Sequence, residues 1–101
     1  MSENDEVSVA SVFRKGTLAY SIDRLEVGES FSRTGRFDID IMSKQKTEDF
    51  LIAQSSNISN ALHRIKASYE GDTRQYRTER FRALNASCTA VFATVVVTRT
   101  E

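Results

Sequence analysis

Hydrophobic and polar positions change period several times along the chain, and each change marks an element. Val7, Val9, Ser11 and Phe13 share one strand face and Ala10 and Val12 the other, which predicts a first strand over Val7–Phe13. Arg14-Lys15-Gly16-Thr17 reads as a turn, Ser21 begins a single helical turn through Leu25, and Glu26-Val27-Gly28-Glu29 leads into a strand around Ser30–Arg33. Phe37, Ile39 and Ile41 then alternate with Asp38 and Asp40, the signature of a half-buried strand with its acids in water.

The period next lengthens to that of a helix. Ser43 or Thr47 serves as its cap, and Thr47-Glu48-Asp49 places negative charge in a first turn, where free amides favour it. Leu51, Ile58, Leu62, Ile65 and Tyr69 fall on one stripe with Ala61 beside it, the strongest periodic signal in the chain. Gln54-Ser55-Ser56-Asn57 interrupts that stripe with four polar residues, and Ser55 or Ser56 is equally suited to cap a separate helix. The pattern therefore allows one helix of about six turns or two helices joined by a turn, with Gly71 as the stop.

Thr73–Leu84 has the Tyr, Thr and Phe content of a strand, and Asn85-Ala86-Ser87 makes a turn. Thr89–Thr98 is apolar on both faces, so it belongs in the middle of a sheet or under a neighbouring chain. The expected fold is α+β: a mainly antiparallel sheet, one principal helix and a C-terminal β-hairpin, arranged like a winged helix. Residues 1–6 read as a flexible N-terminal tail and residues 7–101 as one small domain, since 101 residues leave no room for a second.

Composition narrows the chemistry. No run approaches the ~18 apolar residues of a membrane span, and the acidic, polar start Met1–Glu6 is unlike a secretory signal. Cys88 is the only Cys, which rules out an intrachain disulfide and a Cys-based zinc site and suits a reducing cytoplasm. With His63 the only imidazole, no nucleophile, base and orienting group assemble into a hydrolytic site, and no enzyme activity, cofactor or metal is expected. Asp38 and Asp40 read as solubility residues on a wet strand face. Cys88 reads as a small hydrophobe ahead of the last strand.

The net charge of zero hides an asymmetry. Residues 1–40 carry eight acids and five bases, whereas residues 41–100 carry nine bases and five acids. The bases concentrate at Arg64, Lys66, Arg74, Arg77, Arg80 and Arg82, so an anionic partner would meet the second half.

Four short segments, Leu25-Glu26-Val27-Gly28-Glu29-Ser30-Phe31, Ser55-Ser56-Asn57-Ile58-Ser59-Asn60-Ala61, Tyr76-Arg77-Thr78-Glu79-Arg80-Phe81 and Val95-Val96-Val97-Thr98-Arg99, resemble small uncharacterised α+β domains encoded by bacteriophages. That resemblance spans roughly residues 20–99. It implies a nucleic-acid-associated or regulatory role in a host-cell cytoplasm without catalysis.

The expected nucleic-acid surface follows from residue types. Ser56, Asn57 and Asn60 are short polar groups able to contact base edges or phosphates near a helix start, Arg64 and Lys66 extend the positive surface, and Arg74, Arg77, Arg80 and Arg82 hold backbone from the hairpin. Such a protein would bind DNA as a homodimer. The alternative is a protein-interaction module or inhibitor acting on a larger host or phage protein, for which the apolar last strand and helix stripe provide surface. Geometry separates the two: arginines clustered on one side favour DNA, and arginines scattered among acids favour a protein partner.

Overall fold

A computed structural model describes residues 11–101. The expected tail over 1–6 and most of the expected first strand lie outside the described residues, and Ser11–Phe13 is not strand. The described elements, in chain order, are α1 (Leu18–Asp23), β1 (Ser30–Asp38), α2 (Ser43–Ser68), β2 (Tyr76–Leu84) and β3 (Ala90–Arg99). The fold is α+β, as the sequence pattern implies. Its sheet is antiparallel throughout, in the order β1-β3-β2.

β3 is the central strand, which accounts for its two apolar faces. On one side Ala93, Val95 and Val97 join Ile22, Leu51, Ile58, Ala61 and Ile65 in the core between sheet and α2. The row nearest α2 is small, Gly35 beside Ala93, and there Phe37 and Phe50 meet edge to face with ring centroids 5.6 Å apart. A Cβ on Gly35 would lie 2.9 Å from both rings, so the missing side chain is what allows helix and sheet to approach so closely.

Strand and helix boundaries differ from the sequence reading for local reasons. The two strands expected around Ser30–Arg33 and Phe37–Ile41 are one strand, β1, paired with β3 without interruption. Ile39 and Ile41 fall beyond it and are exposed. The chain turns there because Asp40 organises the start of α2: its carboxylate accepts the Met42 amide (2.7 Å) and pairs with Lys46 (3.3 Å), and its carbonyl accepts from Ser43. The Met42 amide and then Lys46 hold the Asp40 carboxyl below its usual range. Neither Ser43 nor Thr47 caps the helix; the Oγ of each bonds a carbonyl three residues back. α1 likewise starts earlier than expected, its N-cap being Thr17, whose hydroxyl accepts the Tyr20 amide (3.2 Å).

α2 is continuous through Gln54–Asn57. Its buried residues Thr47, Leu51, Ile58, Ala61 and Ile65 follow helical spacing on both sides of the polar run, so burial holds the helix together where local preference would allow a turn. With no turn to divide two helices, no separate recognition helix forms, and the hairpin is built into the sheet instead of standing free as a wing. The hairpin turn carries Cys88 in the left-handed region (φ 57°), where the side chain read as a small hydrophobe is exposed. The Asn85 carboxamide ties the turn down by accepting the Thr89 and Ala90 amides (2.9 and 3.0 Å).

Candidate functional site

The nine residues expected to contact DNA do not share a surface. Ser56 is exposed on the outer side of α2, away from the sheet, and its amide lies mid-helix, so the anion-attracting helix start imagined there does not exist. Asn57, Asn60 and Arg64 share the flank of α2 that faces α1 and β1, where they meet Arg33 and the apolar groups of Leu18, Ala19 and Ala61 around a groove of about 300 Å³. Lys66 lies at another opening, of about 430 Å³, with His63, Ala67, Arg74 and Tyr76.

The hairpin arginines divide between the two faces of the sheet. Arg80 and Arg82 are on the helix side, where Arg80 donates to Ser55 Oγ (3.0 Å) and Arg82 pairs with Glu48. Arg77 points to the opposite face and pairs with Glu79 (3.5 Å). Once Arg74 is included, four of the expected contact residues thus engage neighbours within the protein, and Arg74, Arg77 and Arg82 do so through acids.

Arg74 is the most enclosed of them. Its Nε and Nη2 donate to Asp72 (3.1 and 2.9 Å), its Nη1 donates to Asp23 (2.9 Å), and its guanidinium lies over the Tyr69 ring, 4.7 Å from the centroid. The Tyr69 hydroxyl donates to the second Asp23 oxygen (2.7 Å), which also accepts from Ser11. Side-chain exposures of 4% for Asp23, 7% for Asp72 and 17% for Arg74 place this cluster inside the protein. It joins the end of α1, the end of α2 and the approach to β2. Hydrogen bonds to Asp72 and Asp23 raise the Arg74 pKa against the cost of burial, and the same bond from Arg74 holds Asp72 below the usual carboxylate range. Arg74 therefore positions elements and is not free to grip a phosphate.

Sequence reasoning gave no role to Asp23 or Arg33. Asp23 stands 51 residues from its arginine, and nothing local marks the pairing. Arg33 did carry a signal: it occupies the inward row Phe31, Arg33, Gly35, Phe37 of β1, a charged residue among apolar and small ones. It lies over the Phe31 ring (5.9 Å to the centroid) and reaches Gln54 Oε1 (3.5 Å).

The sheet face opposite α2 is uncovered among the described residues. Register pairs place Ser30 with Thr98, Ser32 with Val96, Thr34 with Thr94, Arg36 with Phe92 and Asp38 with Ala90 on it, and Arg77, Glu79, Phe81 and Ala83 continue it across β2. Two hydroxyl pairs, Ser30 with Thr98 (2.7 Å) and Thr34 with Thr94 (2.9 Å), cross-link its strands. Phe81 is 51% exposed there. Arg36 packs over Phe92, 5.9 Å from the ring centroid. The outer edge of β2 is guarded by Arg77, Glu79, Arg80 and Arg82, which discourages strand addition at that edge.

Among the described residues no helix is long and apolar enough to cross a membrane, and no three His, Cys, Asp or Glu side chains gather as metal ligands do. Residues 16–101 match the family described as a domain of unknown function, DUF7609, and the chain belongs to that family. No curated protein and no solved structure matches the chain.

Proposed function

We propose that this domain is a non-enzymatic protein-interaction module, that the open face of its sheet is the contact surface, and that the partner is a second copy of the chain. The observation that carries this reading is the face itself: three strands with Phe92, Val96 and Phe81 toward the middle, threonines and serines around them, and no covering element among the described residues. An antiparallel sheet tolerates one wet face when that face alternates to polar residues. Here the outer row of β3 beyond the buried Ala90 reads Phe92, Thr94, Val96, Thr98, without a charge.

The face complements itself. A two-fold axis running along β3 between two such sheets sets β1 of one copy over β2 of the other at the same level. Thr34 then meets Phe81, Arg36 meets Ala83, Ser32 meets Glu79 and Ser30 meets Arg77, while Phe92, Thr94 and Val96 meet themselves. No like charges oppose. Strands of nine or ten residues give a footprint of roughly 30 by 14 Å on each copy. Two such faces come to about 840 Å², the size of a weak and transient interface, in keeping with association at tens of micromolar.

The nucleic-acid reading retains one supporting observation, the meeting of Asn57, Asn60 and Arg64 with Arg33 in one groove. Against it stand the pairing of Arg74, Arg77 and Arg82 with acids and the placement of basic groups on both faces and both helix flanks, which leaves no continuous positive track. The likeness to bacteriophage-encoded domains would set either role in a host cytoplasm, with regulation of host or phage proteins as its purpose.

Sedimentation equilibrium of the wild type and of Phe92→Asp tests the proposal. The wild type is expected to dimerise at tens of micromolar, and Phe92→Asp, which places two carboxylates opposite each other on the axis, to be monomeric with an unchanged circular dichroism spectrum. A wild type that stays monomeric at several hundred micromolar refutes it. Binding of random duplex DNA that weakens steeply with salt, and is lost in Arg64→Gln, would instead establish the nucleic-acid role.

A further inference from the structure

The ten described arginines differ in what they face. Arg36, Arg74, Arg77 and Arg82 each lie within ion-pair distance of a carboxylate. Arg33 and Arg64 have no carboxylate within that distance among the described residues, yet both line the same groove between α1, β1 and α2. Each guanidinium lies over an aromatic ring of its own, Arg33 over Phe31 (5.9 Å) and Arg64 over Phe13 (5.3 Å).

Stacking of this kind uses the face of a guanidinium and leaves its N–H edge for an acceptor, which at Arg33 is engaged among the described residues by a long bond to Gln54 Oε1 (3.5 Å). It also holds a long side chain in place before any ligand arrives, which reduces the entropy lost on binding. Between the two arginines Asn57 and Asn60, one helical turn apart on α2, present carboxamide donors to the same space. Among the described residues the groove has no acidic wall, and its apolar part is formed by Leu18, Ala19 and Ala61.

We infer that this groove binds a single phosphate group, either free or as the monoester of a small organic molecule, with Arg33 and Arg64 as paired charged donors and Asn57 and Asn60 as neutral ones. Planar forks suit the oxygens of a tetrahedral oxyanion and take it in preference to a spherical halide. A polynucleotide is the less fitting ligand because its phosphates come in a row, whereas the hairpin arginines Arg80 and Arg82 lie on the other flank of α2, engaged with Ser55 and Glu48. The site stands on the side of the sheet away from the proposed dimer face, so it is independent of that reading.

Amide NMR titrations of the full chain with inorganic phosphate, phenyl phosphate, chloride at matched ionic strength and a short DNA duplex decide the matter. Phosphate is expected to shift the Asn57 and Asn60 side-chain amides and the backbone of Arg33 and Ala61 in a saturable way, and chloride to leave them in place. Arg33→Gln and Arg64→Gln should each weaken binding by about tenfold or more, while Arg77→Gln, on the far face, leaves it unchanged; the spectra themselves report whether each variant is folded. Tighter binding of phenyl phosphate than of phosphate would identify the monoester as the ligand, and equal binding the free anion. Shifts spread over all basic residues, insensitivity to both groove substitutions, or preferential binding of the duplex would each overturn the inference.

Discussion

Replacing Arg74 with Met removes the cation from the most buried polar cluster of the protein while keeping much of the side-chain volume. Three charge-assisted bonds disappear, two to Asp72 and one to Asp23. At about 1.5–3 kcal/mol each they sum to about 4.5–9 kcal/mol. Partial rehydration of the two carboxylates through the space left by a guanidinium that is 17% exposed lowers this, and measured losses on breaking buried pairs cluster at about 3–5 kcal/mol. Against a total stability of about 5–15 kcal/mol for a chain of this length, such a loss leaves little margin. Urea unfolding at pH 7 measures it, with Arg77→Met as the comparison. The Arg77–Glu79 pair is 60% and 46% exposed, and its loss should cost under about 0.5 kcal/mol. The pH dependence adds a second readout. The Asp72 carboxyl is depressed in the folded protein, chiefly by the hydrogen bond from Arg74, so its contribution is complete above the unfolded value of about 3.9 and is lost as pH falls through the folded one. In Arg74→Met the side-chain bond is gone while the amide of residue 74 and the charge of Lys66 still act against burial, so the acid-side loss of stability between about pH 5 and 3 should flatten. A cost below about 1 kcal/mol with an unchanged acid slope would show that the cluster does not clasp the fold.

Two further substitutions test the packing around the same frame. The Tyr76 hydroxyl is buried without a hydrogen-bond partner among the described residues, and burial raises its pKa, so Tyr76→Phe should leave stability unchanged or increase it by up to about 1 kcal/mol in thermal unfolding; a loss above about 1 kcal/mol would mean that the hydroxyl has a partner. Gly35→Ala drives a methyl group to within 2.9 Å of the Phe37 and Phe50 rings and should cost about 1–3 kcal/mol, which Phe50→Leu in the same chain should partly recover, and a double variant no better than the single would refute the steric account.

Much of the fold was legible because burial imposes a period on the sequence. The apolar character of Thr89–Thr98 on both faces pointed to a strand either central in its sheet or under a neighbouring chain, of which the fold realises the first, and the stripe from Leu51 to Tyr69 announced α2. Errors arose where a local preference competed with burial. Gln54-Ser55-Ser56-Asn57 looks like a cap, but Leu51 and Ile58 on either side fix the helix across it, and only their common contact with the sheet decides between the two conformations. Ile41 fits the strand alternation that began at Phe37, yet it is 97% exposed because the Asp40 carboxylate bonds the Met42 amide and turns the chain before the pattern can continue.

Polar residues were far less legible, since their roles depend on partners distant in sequence. Arg74, Arg77, Arg80 and Arg82 read as one basic hairpin, but strand alternation sends Arg77 to the face opposite Arg80 and Arg82, and Arg74 precedes the strand altogether. That separation followed from the register alone. What no local pattern contained is which arginines find acids: Arg74 meets Asp23 across 51 residues and Arg82 meets Glu48 across 34, whereas Arg33 and Arg64 meet aromatic rings. A count of charges treats these side chains alike. The fold sorts them, so that an arginine held by buried carboxylates becomes part of the scaffold and one propped on a ring beside an open groove keeps its donors for something else.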